Sequence, residues 1–265
     1  MSFKKNHRLR KAYITIVMLL LFLPIFILIA FSFNESKLNV VFTGFTFDWY
    51  ARLFANADLI DAFKNTILIA VLSTGISTVI GVLSAVGLKK FQFRGHGLID
   101  KLIYIPIVIP EIVLGIALLS VFTLAKLELG FWTVLLAHIS FSVPFVITSV
   151  RSTLYSLPKH VESAAADLGA SRWQIFWHIT LPLIWPGIVS GALLAFTLSM
   201  DDVVISYFAA GPGTNTLPLY IYANIKTGIS PDVNALTSIM LVITVITLTT
   251  SAYFQSRKVA ARSIS

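Results

Sequence analysis

The sequence predicts an all-α integral membrane protein of six transmembrane helices, and three observations carry that prediction. Of its 265 residues, 57% are hydrophobic and only 12% charged, against about 25% charged in an ordinary soluble domain. Six runs are apolar enough to cross a hydrocarbon core, which takes roughly 20 helical residues. They lie near 12–33, 63–88, 102–125, 131–150, 183–208 and 235–254. Lysine and arginine, finally, gather in alternate connections, which places both termini in the cytoplasm.

The first run follows the basic segment MSFKKNHRLRK. It is too long for a secretory signal core and lacks a small-residue cleavage site, so it reads as a retained span. The tail before it holds Lys4, Lys5, Arg8, Arg10 and Lys11, and the connection after span two holds Lys89, Lys90, Arg94 and Lys101. Arg151, Lys159 and Arg172 follow span four, and Arg257, Lys258 and Arg262 follow span six. Fifteen of the twenty basic residues thus share the cytoplasmic side. The net charge of +8 is a topology signal, and no nucleic-acid partner is needed to explain it. Pro24, Pro110, Pro144 and Pro186 fall within spans and predict kinks that open cavities in the bundle.

The connection 156–182, between spans four and five, is patterned. Pro158 suits the first turn of a helix, and Val161, Ala164, Ala165 and Leu168 then recur at helical spacing as one apolar stripe. Gly169 falls where a left-handed cap ends that helix. Ser171 with Gln174 forms a capping box that opens a second helix. Arg172, Trp173, Phe176, Trp177 and His178 suit a helix at the headgroup boundary, and Pro182 and Pro186 punctuate the entry into span five. A short helix with an apolar stripe suits docking to a cytoplasmic partner; the bland alternative is a solvated re-entrant loop.

These residues resemble the EAA motif of bacterial ABC importer permeases: EAA, three residues, glycine, nine residues, then I-x-L-P. Ala164 and Ala165 match the alanines, Gly169 the glycine, and Ile179, Leu181 and Pro182 the close. Ser163 stands in place of the glutamate, with Glu162 one position earlier and Asp167 further along. The stretches LSMDDVVISYF, GPGTNTLPLYIYANIKTGISPDVNALTSI, FQFRGHG and LGFWTVLLAHISFSVPFVI look like the permeases of spermidine/putrescine importers, and the likeness spans nearly the whole chain.

The resemblance implies a type I ABC importer (MetI-like) permease fold in the bacterial inner membrane, with polyamines as cargo. It also implies a second homologous permease, two copies of a cytoplasmic ATP-binding subunit, and an extracytoplasmic polyamine-binding protein. ATP and Mg then belong to the partner ATPase, with no cofactor on this chain, which agrees with the lack of a GxxxxGK[ST] phosphate loop. Residues 1–60 form the basic tail, first span and extracytoplasmic loop. Residues 61–256 form the transporter domain with its coupling loop, and 257–265 a basic cytoplasmic tail.

Asp201 and Asp202 are adjacent acids inside an apolar run. A carboxylate at a helix centre costs about 2.5–3.5 kcal/mol on insertion scales, so the pair must meet water, a partner or a cation. Counted from Leu183 at about 1.5 Å per residue, Asp201 lies roughly 27 Å along span five, toward the outer face. Helical neighbours diverge by about 100°, so both enter one pore only if the helix is broken. Three roles fit: a cation-selecting element at the outer mouth, a structural ion pair or cap of a broken helix, or a contact with the binding protein or second permease.

Glu111 reads as another buried acid. It follows Pro106 and Pro110, which interrupt span three and free backbone carbonyls, and it either attracts amines or bonds local amides. Tyr207, Phe208, Tyr220 and Tyr222 cluster near the outer interface. They suit either cation–π contact with ammonium groups or an aromatic belt.

Other classes fit less well. Without cysteine there is no disulfide, thiolate metal site or redox motif. The histidines are scattered, and His138 within span four reads as a hydrogen-bonded packing residue. An intramembrane di-aspartate protease needs acids facing each other from separate helices, and no HExxH occurs. An autonomous carrier calls for an internal repeat, which the spans do not show. Within transport, a thiamine-like, ferric or opine-like cargo satisfies the loop equally, whereas the acid pair favours an amine.

Overall fold

The computed structural model describes residues 7–37, 41–158, 160–225, 231–243 and 245–246. Lys4, Lys5, Lys159, the end of the sixth predicted span and the 257–265 tail lie outside them. The described chain runs α1 (His7–Phe31), α2 (Asp48–Ala55), α3 (Ala57–Lys90), α4 (His96–Leu102), α5 (Ile105–Val108), α6 (Glu111–Leu124) and α7 (Phe131–Ser156). It continues through α8 (Val161–Asp167), α9 (Arg172–Ile175), a π-helical turn (Phe176–Thr180), α10 (Leu181–Asp201), α11 (Val204–Ala209) and α12 (Leu217–Asn224). A last apolar helix, α13, is Pro231–Ile243.

Among the described residues four helices are long and apolar enough to cross a membrane: Arg10–Phe31, Ala57–Lys90, Phe131–Ser156 and Arg172–Asp201. The pair His96–Val108 and Glu111–Leu124, bent by 113°, supplies a fifth span if taken as one. The predicted third span, 102–125, is therefore not a single rod. Pro110 denies the helix an amide and biases the residue before it toward extended backbone. Ile109 indeed adopts φ −70°, ψ 135°.

Pro24, Pro144 and Pro186 sit inside α1, α7 and α10. Two further expectations change. Pro182 does not punctuate an entry, because helix runs unbroken from Arg172 to Asp201. A wide π turn, Phe176–Thr180, lies just before it, and the Leu181 amide bonds Phe176 O five residues back. Arg151 lies within α7 rather than in a connection, since that helix continues to Ser156. Its guanidinium is bound to Asp100, and it donates to the Tyr155 hydroxyl at 3.2 Å.

The chain divides into two compact units. One comprises residues 1–60 and 223–265. In it, among the described residues, no residue of the most apolar stretch of α1 is fully buried. The turn after α1 is organised by buried Asn34. Its side chain donates to Val41 O at 2.9 Å and accepts from Thr43 N at 2.8 Å, while the Trp49 indole donates to its carbonyl at 2.6 Å. Asn56 likewise donates to Asp232 Oδ2 at 2.7 Å.

The other unit, residues 61–222, is built around a seam between α7 and α10. Gly187, Gly191 and Ala195 recur every four residues and are buried. A β-carbon at Gly187 would stand 2.3 Å from Thr153 Oγ1, and one at Gly191 would stand 3.1 Å from Val146 Cα. Small residues at this spacing let helix backbones approach closely where no hydrophobic effect drives helices together. Ser149 Oγ uses the proximity to donate to Gly187 O at 3.0 Å.

Buried apolar residues form two clusters. Val82, Val86, Val146, Val150, Leu154, Ile184 and Ile188 belong to one cluster. Ile69, Phe122, Val134, Phe141, Ile205 and Ala209 belong to the other. Buried Ser73, Ser77, His138, Ser142 and Ser199 lie on the same helices as these clusters and supply the polar groups.

Candidate functional site

Two places gather the residues singled out above. The first is the connection after α7. Helix α8 begins at Val161, so Pro158 precedes the helix rather than entering its first turn; Val161 N bonds Pro158 O at 3.5 Å. The end is formed as expected. Gly169 has φ +89°, its amide donates to Ala166 O at 2.9 Å, and Ala170 N donates to Ala165 O at 3.0 Å, which is a Schellman motif. Ser171 then caps α9 in both directions: Gln174 N donates to Ser171 Oγ at 3.3 Å, and Ser171 N donates to Gln174 Oε1 at 2.8 Å.

The apolar stripe is divided. Val161 and Ala165 are half-buried against their own chain, whereas Ala164 is exposed and Leu168 is 90% exposed. Asp167 and Pro182 are exposed, and Ile179 and Leu181 half-buried. Ser163, at the motif's glutamate position, is exposed and donates to His160 O at 3.1 Å.

Glu162 turns the other way. Thr180 Oγ1 donates to its Oε1 at 2.6 Å, and Lys90 Nζ stands 3.3 Å from its Oε2. Burial pushes the Glu162 carboxyl up, but the Thr180 hydrogen bond and the Lys90 charge outweigh it and hold it below the usual carboxylate range. The link is therefore complete above the ordinary carboxylate pKa and is lost only as pH falls below it. Glu162 thus ties α8 to the π turn and to the end of α3.

The second place is the end of α10. Asp201 is its last residue; Asp202 leaves the helix at φ −67°, ψ 125°, and α11 begins two residues on. Predicted span five is broken here instead of running to 208. The break divides the acid pair. Asp202 is only 8% exposed, and its Oδ1 and Oδ2 accept the amides of Ile205 at 3.1 Å and Ser206 at 2.7 Å. Those are amides that a helix start leaves without partners. Asp201 is exposed and makes no ion pair among the described residues.

His138 completes the arrangement. Its Nε2 lies 3.3 Å from Asp202 Oδ2 and 3.0 Å from Ser206 Oγ, and its Nδ1 lies 2.7 Å from Ser199 Oγ. Ser199 Oγ is in turn 3.1 Å from Ser73 Oγ. His138 is thus the hydrogen-bonded packing residue its place in an apolar span suggests, and its partners are serines of other apolar runs, which sequence spacing does not pair with it.

Glu111 is exposed, not buried within the chain, and occupies the first turn of α6, where the helix dipole favours negative charge. Tyr207 is 59% and Tyr222 56% exposed. Phe208 packs its ring where a β-carbon on Gly115 would come within 2.5 Å, holding α11 against α6. Tyr220 is half-buried. Among the described residues no hydrogen bond or ion pair links Glu111, Tyr207 or Tyr222 to either aspartate.

Comparison with known proteins reaches the same region of protein space. A family model, "Binding-protein-dependent transport system inner membrane component", matches residues 77–264. The spermidine/putrescine transport system permease protein PotC of Escherichia coli strain K12 is 42% identical over 238 residues, covering 90% of each chain. The putrescine transport system permease protein PotI of the same strain is 37% identical over 229 residues, covering 83% of this chain and 81% of its own. Among solved structures, a bacterial ABC transporter involved in the import of the acidic polysaccharide alginate superposes with TM-score 0.71 at 20% identity, covering 96% of both chains. That last likeness speaks to fold alone.

Proposed function

The chain belongs to the binding-protein-dependent transport system inner membrane component family, and we propose that it is the permease subunit of an ATP-driven polyamine importer. The observation that carries the cargo is its 42% identity, over 90% of both chains, to a spermidine/putrescine permease. On this reading six spans cross a bacterial inner membrane with both termini cytoplasmic. A homologous permease supplies the other half of the path, an extracytoplasmic binding protein delivers the polyamine, and two cytoplasmic subunits bind ATP and Mg.

The exposed side of α8, with Ser163, Ala164, Asp167 and Leu168, meets the ATPase. Gly169, Ile179, Leu181 and Pro182 join it rigidly to α10, and Glu162 and Ala165 anchor its inner side. Asp201 is the acid that meets the cationic cargo, with Glu111, Tyr207 and Tyr222 as further groups of the path; Asp202 serves the fold.

The test is polyamine-stimulated ATP hydrolysis by the complete complex in proteoliposomes. Asp201→Asn should raise the KM for spermidine about tenfold with assembly unchanged, one charge-assisted contact being worth about 1.5–3 kcal/mol. Normal transport by that variant would remove Asp201 from the path, and failure of unlabelled polyamines to compete would reject the cargo.

Coupling is tested separately. Among the described residues, nothing beyond its chain neighbours lies within 4 Å of a β-carbon added at Gly169, so Gly169→Val strains chiefly the left-handed backbone, by about 1–2 kcal/mol. The variant should insert normally yet lose most uptake; full uptake would count against a role for the fixed angle.

A further inference from the structure

We propose that His138 is a positioning residue of the transport path: through Asp202 it holds the α10/α11 break that presents Asp201 to cargo. The inference rests on reading Asp201 as a path residue, and it extends that reading to a buried group that meets no cargo itself.

His138 is fully buried, so it has no access to a solute. Its two ring nitrogens are both engaged, by Ser199 on α10 at 2.7 Å and by Ser206 on α11 at 3.0 Å. These serines lie on opposite sides of the break. The imidazole, mounted on α7, therefore bridges the two helix ends that the break separates.

The carboxylate of Asp202 defines which way the hydrogens run. An acceptor-only group 3.3 Å from Nε2 requires a hydrogen on Nε2. In the neutral ring Nδ1 then accepts from the Ser199 hydroxyl. Ser199 lies 3.1 Å from Ser73 on α3. One chain of polar contacts thus runs from α3 through α10 and α7 to α11, with Asp202 at its end accepting two amides of α11. A buried polar network that is satisfied throughout specifies a single arrangement, and a functional side chain keeps its geometry when the residues behind it are locked in this way.

Asp201 is the residue this geometry orients. It is the last residue of α10, exposed, and one peptide bond from the held carboxylate. If α10 continued past Asp201, the exposed acid would be followed by another helical turn; the break leaves it at a helix end. Without the imidazole, Asp202 keeps its two amides but loses its link to α7, and the direction of Asp201 is no longer set by the bundle.

Two measurements on the complete complex in proteoliposomes test this. In the first, His138→Leu raises the KM for spermidine about tenfold, in the range that misplacement of a positioned group produces, while kcat changes less than about twofold. His138→Gln, which offers one donor and one acceptor in place of the two ring nitrogens, recovers most of the loss, and Ser206→Ala gives a smaller rise of the same kind.

The second measurement needs no cargo. The chain has no cysteine of its own, so the thiol introduced by Asp201→Cys is the only one on this chain. Its rate of labelling by a charged methanethiosulfonate, applied from outside, should shift severalfold when His138→Leu is added and return with His138→Gln. An unchanged KM and labelling rate in His138→Leu would overturn the inference. So would loss of assembled complex in His138→Gln and Ser206→Ala alike, which would make the network a requirement of folding only. If the parent complex shows no polyamine stimulation, the cargo reading fails, while the labelling comparison still decides whether His138 positions residue 201.

Discussion

Asp202→Leu is expected to destabilise the assembled protein by about 2–6 kcal/mol, the cost of leaving two buried amides without acceptors. The carboxylate is 8% exposed and accepts two amides besides facing His138. Leucine fills similar space but leaves the Ile205 and Ser206 amides without acceptors, and each buried unpaired group costs about 1–3 kcal/mol. Asp202→Asn keeps one acceptor and should fall between. Asp201→Leu, one residue away and exposed, should stay within about 0.5 kcal/mol, as surface substitutions generally do. Thermal unfolding of the purified complex, with size-exclusion to follow assembly, measures the contrast. Equal losses at the two positions would mean that the break does not divide their roles.

The second large effect is expected at the α7–α10 seam. Gly187→Val places a β-carbon 2.3 Å from Thr153 Oγ1, 2.8 Å from Thr153 Cβ and 3.1 Å from Ser149 O. A hydroxyl can rotate away, but the main-chain oxygen cannot without moving α7. Overpacking of this kind costs about 1–3 kcal/mol, and here it also threatens the Ser149 to Gly187 hydrogen bond. Gly191→Leu meets Val146 Cα at 3.1 Å and should be at least as damaging. The melting temperature should fall for both, and the double substitution should prevent recovery of a folded complex. Unchanged melting would show that the helices separate freely at this seam.

Much of this architecture was legible. The span assignments rest on hydrocarbon-length apolar runs, and 63–88 and 131–150 lie inside α3 and α7. The Gly169 cap and the Ser171–Gln174 box were readable because capping is local: four residues and their backbone amides decide it. What escaped depended on partners distant in sequence. The direction of Glu162 is set by Thr180 and Lys90, and neither is its neighbour along the chain. The ends of the fifth span were misjudged because apolar composition continues unaltered through Val203–Phe208, while the backbone turns to satisfy α11 through Asp202. Nor did Pro182 and Pro186 stop a helix: the first follows the π turn and the second lies inside α10.

The small-residue seam also was in plain view, as PGIVSGALLA, but periodicity of this kind says that a face is narrow without naming what lies on it. Only the structure shows that the occupant is α7.

The closeness of that seam governs how force travels. Two helices whose backbones touch at successive turns resist sliding past one another, so α7 and α10 form one strut. The patterned loop is the bend at one end of this strut. The helical run from Arg172 to Asp201 has 30 residues, about 45 Å at 1.5 Å per residue. On the proposed coupling role, this run is the stiff link between the loop and the divided acid pair.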